Sequence, residues 1–116
     1  MDTVADTELA RLQRHYRALQ DRVRELGFIA SGSLVQRYTV CASPGCRCHA
    51  DPPIRHGPYY QHTRKIAGKT VTRRLTAQQA DRYRQQIANR RALDQLISEM
   101  EQISNQAREL EPAGPS

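Results

Sequence analysis

The residues best equipped for chemistry are three cysteines and a histidine in one short stretch. Cys41, Cys46 and Cys48 fall within eight residues. The run Ser43-Pro44-Gly45 has turn-forming composition and folds the first thiol back toward the other two. Thiolate sulfur and imidazole nitrogen at tetrahedral positions are the donors zinc prefers, so the expected cofactor is zinc. The favoured ligand set is Cys41, Cys46, Cys48 and His56. His49 follows Cys48 directly, and adjacent residues reach one ion only under strain. His56 lies eight residues beyond Cys48, past Pro52-Pro53, which can carry the chain around. Both histidines stay open as the fourth ligand. His62 reads as a face residue of a strand. An odd number of thiols this closely spaced does not fit a disulfide framework. The alternatives are free thiols packed as small hydrophobes, or a Cys46/Cys48 redox pair strained by its single intervening residue.

The same stretch is strongly basic. Residues 31–75 carry eight Lys and Arg against Asp51 alone, whereas residues 1–30 are neutral and residues 76–116 have net charge −1. A concentrated positive patch points to a polyanionic partner, DNA or RNA. The candidate contacts are Arg64, Lys65, Lys69, Thr70, Thr72, Arg73 and Arg74, clustered on a β-hairpin. A two-stranded ribbon fits the DNA major groove, and threonine hydroxyls can bond phosphates. Arg73 and Arg74 point to opposite faces, so at most one of them faces a groove directly. Arg82, Arg84, Arg90 and Arg91 can extend the phosphate track. The bland alternative is a set of charges that keeps an edge strand soluble.

Three elements must position these residues. The expected fold is α+β: a small three-stranded antiparallel β segment carrying the zinc site, flanked by an N-terminal helix and a long C-terminal coiled-coil-like helix. The divisions are 1–30, 31–75, 76–111 and a disordered tail, 112–116. In the first helix Leu9, Leu12, Tyr16, Leu19, Val23 and Leu26 repeat at alternating intervals of three and four. Thr3 or Asp6 can cap its start, and Gly27 suits its C-terminal stop. Strands are expected over 33–40, 58–65 and 69–75, with Gly68 in a turn of positive φ. Leu34, Gln36, Tyr38 and Val40 are expected to share one face. Thr76-Ala77-Gln78-Gln79 is a capping box opening the second helix. That helix has seams at Ala80, Tyr83, Ile87 and at Leu93, Leu96, Met100, Ile103, Ala107, Leu110. The rhythm breaks between Ile87 and Leu93, which predicts a stripe shift or local unwinding. An apolar stripe longer than the first helix predicts a homodimer through the second. The alternative is an intramolecular antiparallel hairpin of the two helices.

No run of 18 apolar residues exists and the N-terminal residues lack an apolar signal core, so the expected setting is cytoplasmic and no membrane is involved. One Phe and no Trp leave little material for a thick core, so a metal or an oligomer is the natural staple.

Gly32-Ser33-Leu34, Cys-x4-Cys-x-Cys, His56-Gly57-Pro58-Tyr59-Tyr60 and Gly68-Lys69-Thr70-Val71 together resemble a family of small uncharacterised bacterial and archaeal proteins. Its members carry a Cys-Gly-Lys-Pro-x-Cys-x-Cys-like turn and a His-Gly-Pro-Tyr strand, followed by a long helix. The likeness covers roughly residues 31–105. It implies that Cys41, Cys46, Cys48 and His56 act as a set, and association with mobile elements. This chain departs from the pattern at Ala42-Ser43, where Gly-Lys is common, and in a longer loop from His49 to Arg55.

The function expected from these residues is a zinc-stabilised, dimeric nucleic-acid-binding protein, a DNA-binding regulator or accessory factor. The alternative is a coiled-coil adaptor whose basic patch meets an acidic protein or RNA. An enzyme is not expected: Asp51 is the only carboxylate in the basic segment, so paired carboxylates for metal-assisted hydrolysis are lacking. A Cys48–His62 nucleophile would need a pocket that this composition hardly offers.

Overall fold

The computed structural model describes residues 3–110. The order is α1 (Thr3–Glu25), β1 (Ser33–Thr39), a single 3-10 turn (Arg47–His49), β2 (His56–Ile66), β3 (Lys69–Leu75) and α2 (Ala77–Glu109). This is the expected α+β arrangement. The expected disordered tail, 112–116, lies outside the described residues. Two compact units form: one takes the chain up to Phe28 and from Asn89 onward, the other spans Ile29–Ala88.

In the second unit the strands pair antiparallel in the order β1-β2-β3. A two-residue turn joins β2 to β3. Ala67 at φ 50° and Gly68 at φ 81° both adopt the left-handed conformation, whose twist matches that of the flanking strands. Gly32 sets the approach of β1. Its φ is 92°, and a Cβ there would lie 2.2 Å from the Thr63 carbonyl oxygen, so only glycine allows the close pairing.

Leu34, His62 and Arg73 form one row across the sheet, and Gln36, Tyr60 and Leu75 form the next on the same face. Of the four β1 residues expected on one face, only Leu34 is half-buried; Tyr38 and Val40 are exposed. A bulge also interrupts the pairing of β1 with β2. Between Arg37 and Thr39 the register shifts, because Gly57 and Pro58 of β2 together oppose Tyr38. The extra residue belongs to β2, so β1 keeps its alternation: the Gln36 side-chain amide donates to the Tyr38 hydroxyl at 3.1 Å, and the two share a face as expected.

His62 lies on the inner face of β2. It is 4 % exposed. Its Nε2–H donates to the Ser31 carbonyl at 2.7 Å, and its ring lies 4.5 Å from that of Tyr83. These bonds satisfy a polar ring that burial would otherwise penalise. Around it, the buried apolar residues of this unit are Cys48, Leu75, Ala80 and Ile87 alone.

α2 opens on the capping box. The Thr76 amide donates to Gln79 Oε1 at 2.9 Å, and the Gln79 amide donates to Thr76 Oγ1 at 3.1 Å. The helix does not unwind between Ile87 and Leu93. Asn89 fills the missing seam position, giving Gln86, Asn89, Leu93, Leu96, Met100, Ile103, Ala107 and Leu110 at alternating intervals of three and four. Its side-chain amide donates to the Phe28 carbonyl at 2.9 Å, just past the end of α1. Gly27 stays out of the left-handed region, so this amide, rather than a glycine stop, serves the chain as it leaves α1. Asp6 lies inside α1 rather than at its cap.

In the first unit Leu12, Leu19, Leu96 and Ile103 form the core, flanked by Tyr16, Val23, Leu26, Met100, Ala107 and Leu110. α1 runs antiparallel to this part of α2: Phe28 meets Asn89, while Leu12 and Tyr16 line a shallow groove with Ile103 and Ala107. Of the stripe, Leu96 and Ile103 are buried against α1, while Met100, Ala107 and Leu110 are only partly buried.

Replacing Leu96 by Ala should destabilise the protein by about 2–4 kcal/mol through the cavity it leaves. Ile97→Ala, at a position 50 % exposed, should cost well under half of that. Urea titrations of both variants check this contrast, and equal losses would contradict the helix pairing.

Candidate metal centre

The connection between β1 and β2 carries all four candidate residues. Thr39 and His56 are the last paired positions of the two strands, so the chain leaves and returns at one end of the sheet. Cys41 stands two residues past the exit, and His56 is the point of return. The bulge matters here, because without its extra residue Thr39 would oppose Gly57 rather than His56.

Between these points two tight turns bring the other thiols back. The Cys46 amide donates to the Ser43 carbonyl at 3.1 Å, closing a β-turn with Pro44 and Gly45 at its centre. The 3-10 turn follows at once, with the His49 amide donating to the Cys46 carbonyl at 2.9 Å. The Arg47 carbonyl accepts from both the Ala50 and Ile54 amides, at 3.1 and 2.9 Å, and so ties down the loop that leads to β2. Cys48 ends 2 % exposed, while Cys41 and Cys46 are half-buried.

The Sγ atoms of Cys41, Cys46 and Cys48 and a ring nitrogen of His56 all lie within 4.8 Å of one another. Cys41 Sγ and Cys48 Sγ are 3.5 Å apart, and Cys46 Sγ is 3.2 Å from His56 Nε2. A tetrahedral ion with sulfur at ~2.3 Å and nitrogen at ~2.0 Å would set these edges at roughly 3.5–3.8 Å. The cluster therefore has the donor types and nearly the dimensions of a four-coordinate site for a soft metal ion. An ion held by all four would keep no open position for water, the arrangement of structural rather than catalytic sites. His49 is engaged elsewhere: its Nε2–H donates to the Cys41 carbonyl at 2.5 Å. The Cys41 amide in turn donates to Cys48 Sγ at 3.3 Å. His62, weighed as a partner for Cys48, is bonded instead to Ser31.

The thiols differ in acidity. Hydrogen bonding with the His56 imidazole, helped by the Ser43 backbone and the other two thiols, brings Cys41 down to about 6. At Cys48 the Cys41 amide favours the thiolate most strongly, but burial and the neighbouring thiols together outweigh it and push the group up. A cluster that already favours one thiolate is part-way to the deprotonated state that metal binding requires.

The seven expected nucleic-acid contacts fall into two groups. Lys65, Thr70, Thr72 and Arg74 share one face of the sheet, while Arg64, Lys69 and Arg73 lie on the other with His62. Arg37, Tyr59 and Gln61 join the first group through the register. The sequence reading missed them, because only the pairing of β1 with β2 reveals the neighbours. Arg84 and Arg90, expected to extend the track, are held by Asp81 at 2.6 Å and Asp94 at 3.1 Å.

A family model described as a domain of unknown function (DUF6788) matches residues 9–85. The match encloses the three strands and the four clustered residues; it begins inside α1 and ends inside α2, earlier at both ends than the expected span of 31–105. No curated protein and no solved structure matches the chain.

In the metal-free protein at neutral pH, iodoacetamide should modify Cys41 first and Cys48 last. The reactivity of Cys41 should fall as the pH drops through about 6, because the thiolate is the nucleophile. Peptide mass spectrometry over a pH series measures both. Uniform labelling of the three thiols would rule out this arrangement in solution.

Proposed function

The chain belongs to the DUF6788 family, and we propose that it is a zinc-stabilised nucleic-acid-binding module, acting as a regulator or accessory factor. Zinc suits the donor set, since three thiolates and an imidazole match its preferred closed tetrahedral sites. The ion holds the exit of β1 against the start of β2. That clasp stiffens a unit with four buried apolar residues, one of them Cys48 and only one of them, Leu75, in the sheet.

A single observation carries the nucleic-acid reading. The 25 residues of β1, β2 and β3 include six cations, Arg37, Arg64, Lys65, Lys69, Arg73 and Arg74, and no acidic residue. Among the described residues every salt bridge lies within a helix. Positive charge that the fold leaves uncompensated is available to a polyanion. The hairpin also extends beyond β1: pairing of β1 stops at Ser33 opposite Thr63, so Arg64 through Val71 project as a two-stranded ribbon bearing Arg64, Lys65 and Lys69. This shape and charge suit entry into a groove or a path along phosphates. The adaptor alternative would use what α1 leaves open on the seam, the groove beside Tyr16 and Ala107.

If about four phosphates are neutralised, affinity for a labelled oligonucleotide should fall roughly a hundredfold between about 50 and about 200 mM salt. Arg37→Gln and Lys65→Gln should each reduce the slope of the log–log plot by about one. Fluorescence anisotropy supplies both values. Binding indifferent to salt and to these substitutions would refute the proposal.

A further inference from the structure

The open face of the sheet carries more than charge. Residues paired across antiparallel strands share a face, so its rows are Arg37–Tyr59, then Val35–Gln61–Arg74, then Ser33–Thr63–Thr72, then Lys65–Thr70. The opposite face holds the buried His62 and Leu75, which leaves these rows to solvent. At one end Arg37, Thr39, Tyr59, Gln61 and Arg74 line a depression of about 280 Å³, near the lower end of ligand pockets at roughly 300 Å³. The Arg74 guanidinium carbon lies 4.1 Å from the centroid of the Tyr59 ring. Resting on the ring fixes the planar cation and leaves its outer plane free to stack.

These groups match the parts of one nucleotide with its neighbouring phosphates. A flat aromatic base stacks on a guanidinium plane or a phenol ring. The Gln61 amide offers both a donor and an acceptor to a base edge. Arg37 and the hydroxyl of Thr39 suit a phosphate. Lys65, six residues along β2 from Tyr59, continues the cationic path for roughly 20 Å.

A paired duplex cannot use the depression. It adjoins the three-strand row Val35–Gln61–Arg74, whose outer backbones lie roughly 10 Å apart before side chains are added. A major groove about 12 Å wide admits two strands, not three. Stacking on Tyr59 or Arg74 also needs a base face that a duplex keeps covered. We infer that the open face binds single-stranded nucleic acid, an unpaired base stacking on Arg74 and Tyr59 while Arg37 and Lys65 hold the flanking phosphates. This inference rests on the nucleic-acid reading above and narrows it to one form of the polymer.

The test uses the full zinc-loaded chain and three labelled probes: an oligothymidylate, an abasic strand with the same phosphates, and a duplex of equal length. The oligothymidylate should bind about tenfold more tightly than the abasic strand, the scale of one stacked base, and more tightly than the duplex. Tyr59→Ala should remove that advantage without changing abasic binding, and Tyr59→Phe should retain it. Equal affinity for the oligothymidylate and the abasic strand would overturn the inference while leaving general polyanion binding intact. It needs no variant, so a misfolded mutant cannot obscure it. Failure of all three probes to bind would instead remove the nucleic-acid reading itself, and this inference with it.

Discussion

Four soft or basic atoms held within 4.8 Å of one another are the constraint on which the sheet unit depends. Between Thr39 and His56 the chain makes a long excursion that buries little of itself. Its apolar side chains do not close it, since Val40 and Ile54 are both more than half exposed. What draws it together is the convergence of Cys41, Cys46, Cys48 and His56, reinforced by backbone bonds to Ser43, Cys46 and Arg47. Thiolates this close repel one another unless a cation lies among them. A bound ion would convert that repulsion into stabilisation, on the order of 10 kcal/mol in small zinc domains. For a unit whose buried apolar residues are so few, a contribution of that size would decide whether the sheet has one structure or many.

A rigid sheet also explains the distribution of charge. The helices pair their charges locally, as in Glu8–Arg11, Asp81–Arg84 and Arg90–Asp94. The strands carry cations without acids, so the fold concentrates its electrostatic potential on one element. Holding like charges together costs free energy that a flexible chain would relieve by spreading out. The clasp at one end of the sheet and the tight Ala67-Gly68 turn at the other oppose that relaxation. Positioned cations bind a polyanion with less loss of conformational freedom than mobile ones.

Much of this was legible in the residues. The three strands, the capping box and the Cys41/Cys46/Cys48/His56 grouping follow from β-formers, turn residues and donor chemistry that act locally. What escaped depends on contacts between distant segments. Asn89 looked like a break in an apolar rhythm because its role is to reach Phe28, 61 residues away. His62 lies on a strand face as expected, but nothing in β2 alone reveals that this face is buried against Ser31 and Tyr83. Arg37 and Tyr59 were passed over for the same reason: only strand register sets them next to Arg74. Gly27 looked like a helix stop because nothing local shows that Asn89 reaches the neighbouring Phe28 carbonyl.

The most direct test is titration of the metal-free chain with cobalt(II), whose visible absorption reports thiolate ligation and tetrahedral geometry. The expected result is an intense tetrahedral spectrum that saturates at one equivalent, is displaced by zinc, and is lost in Cys46→Ser. A fully folded chain that takes up no cobalt, or binds it only with the weak absorption of an octahedral ion, would contradict the central claim.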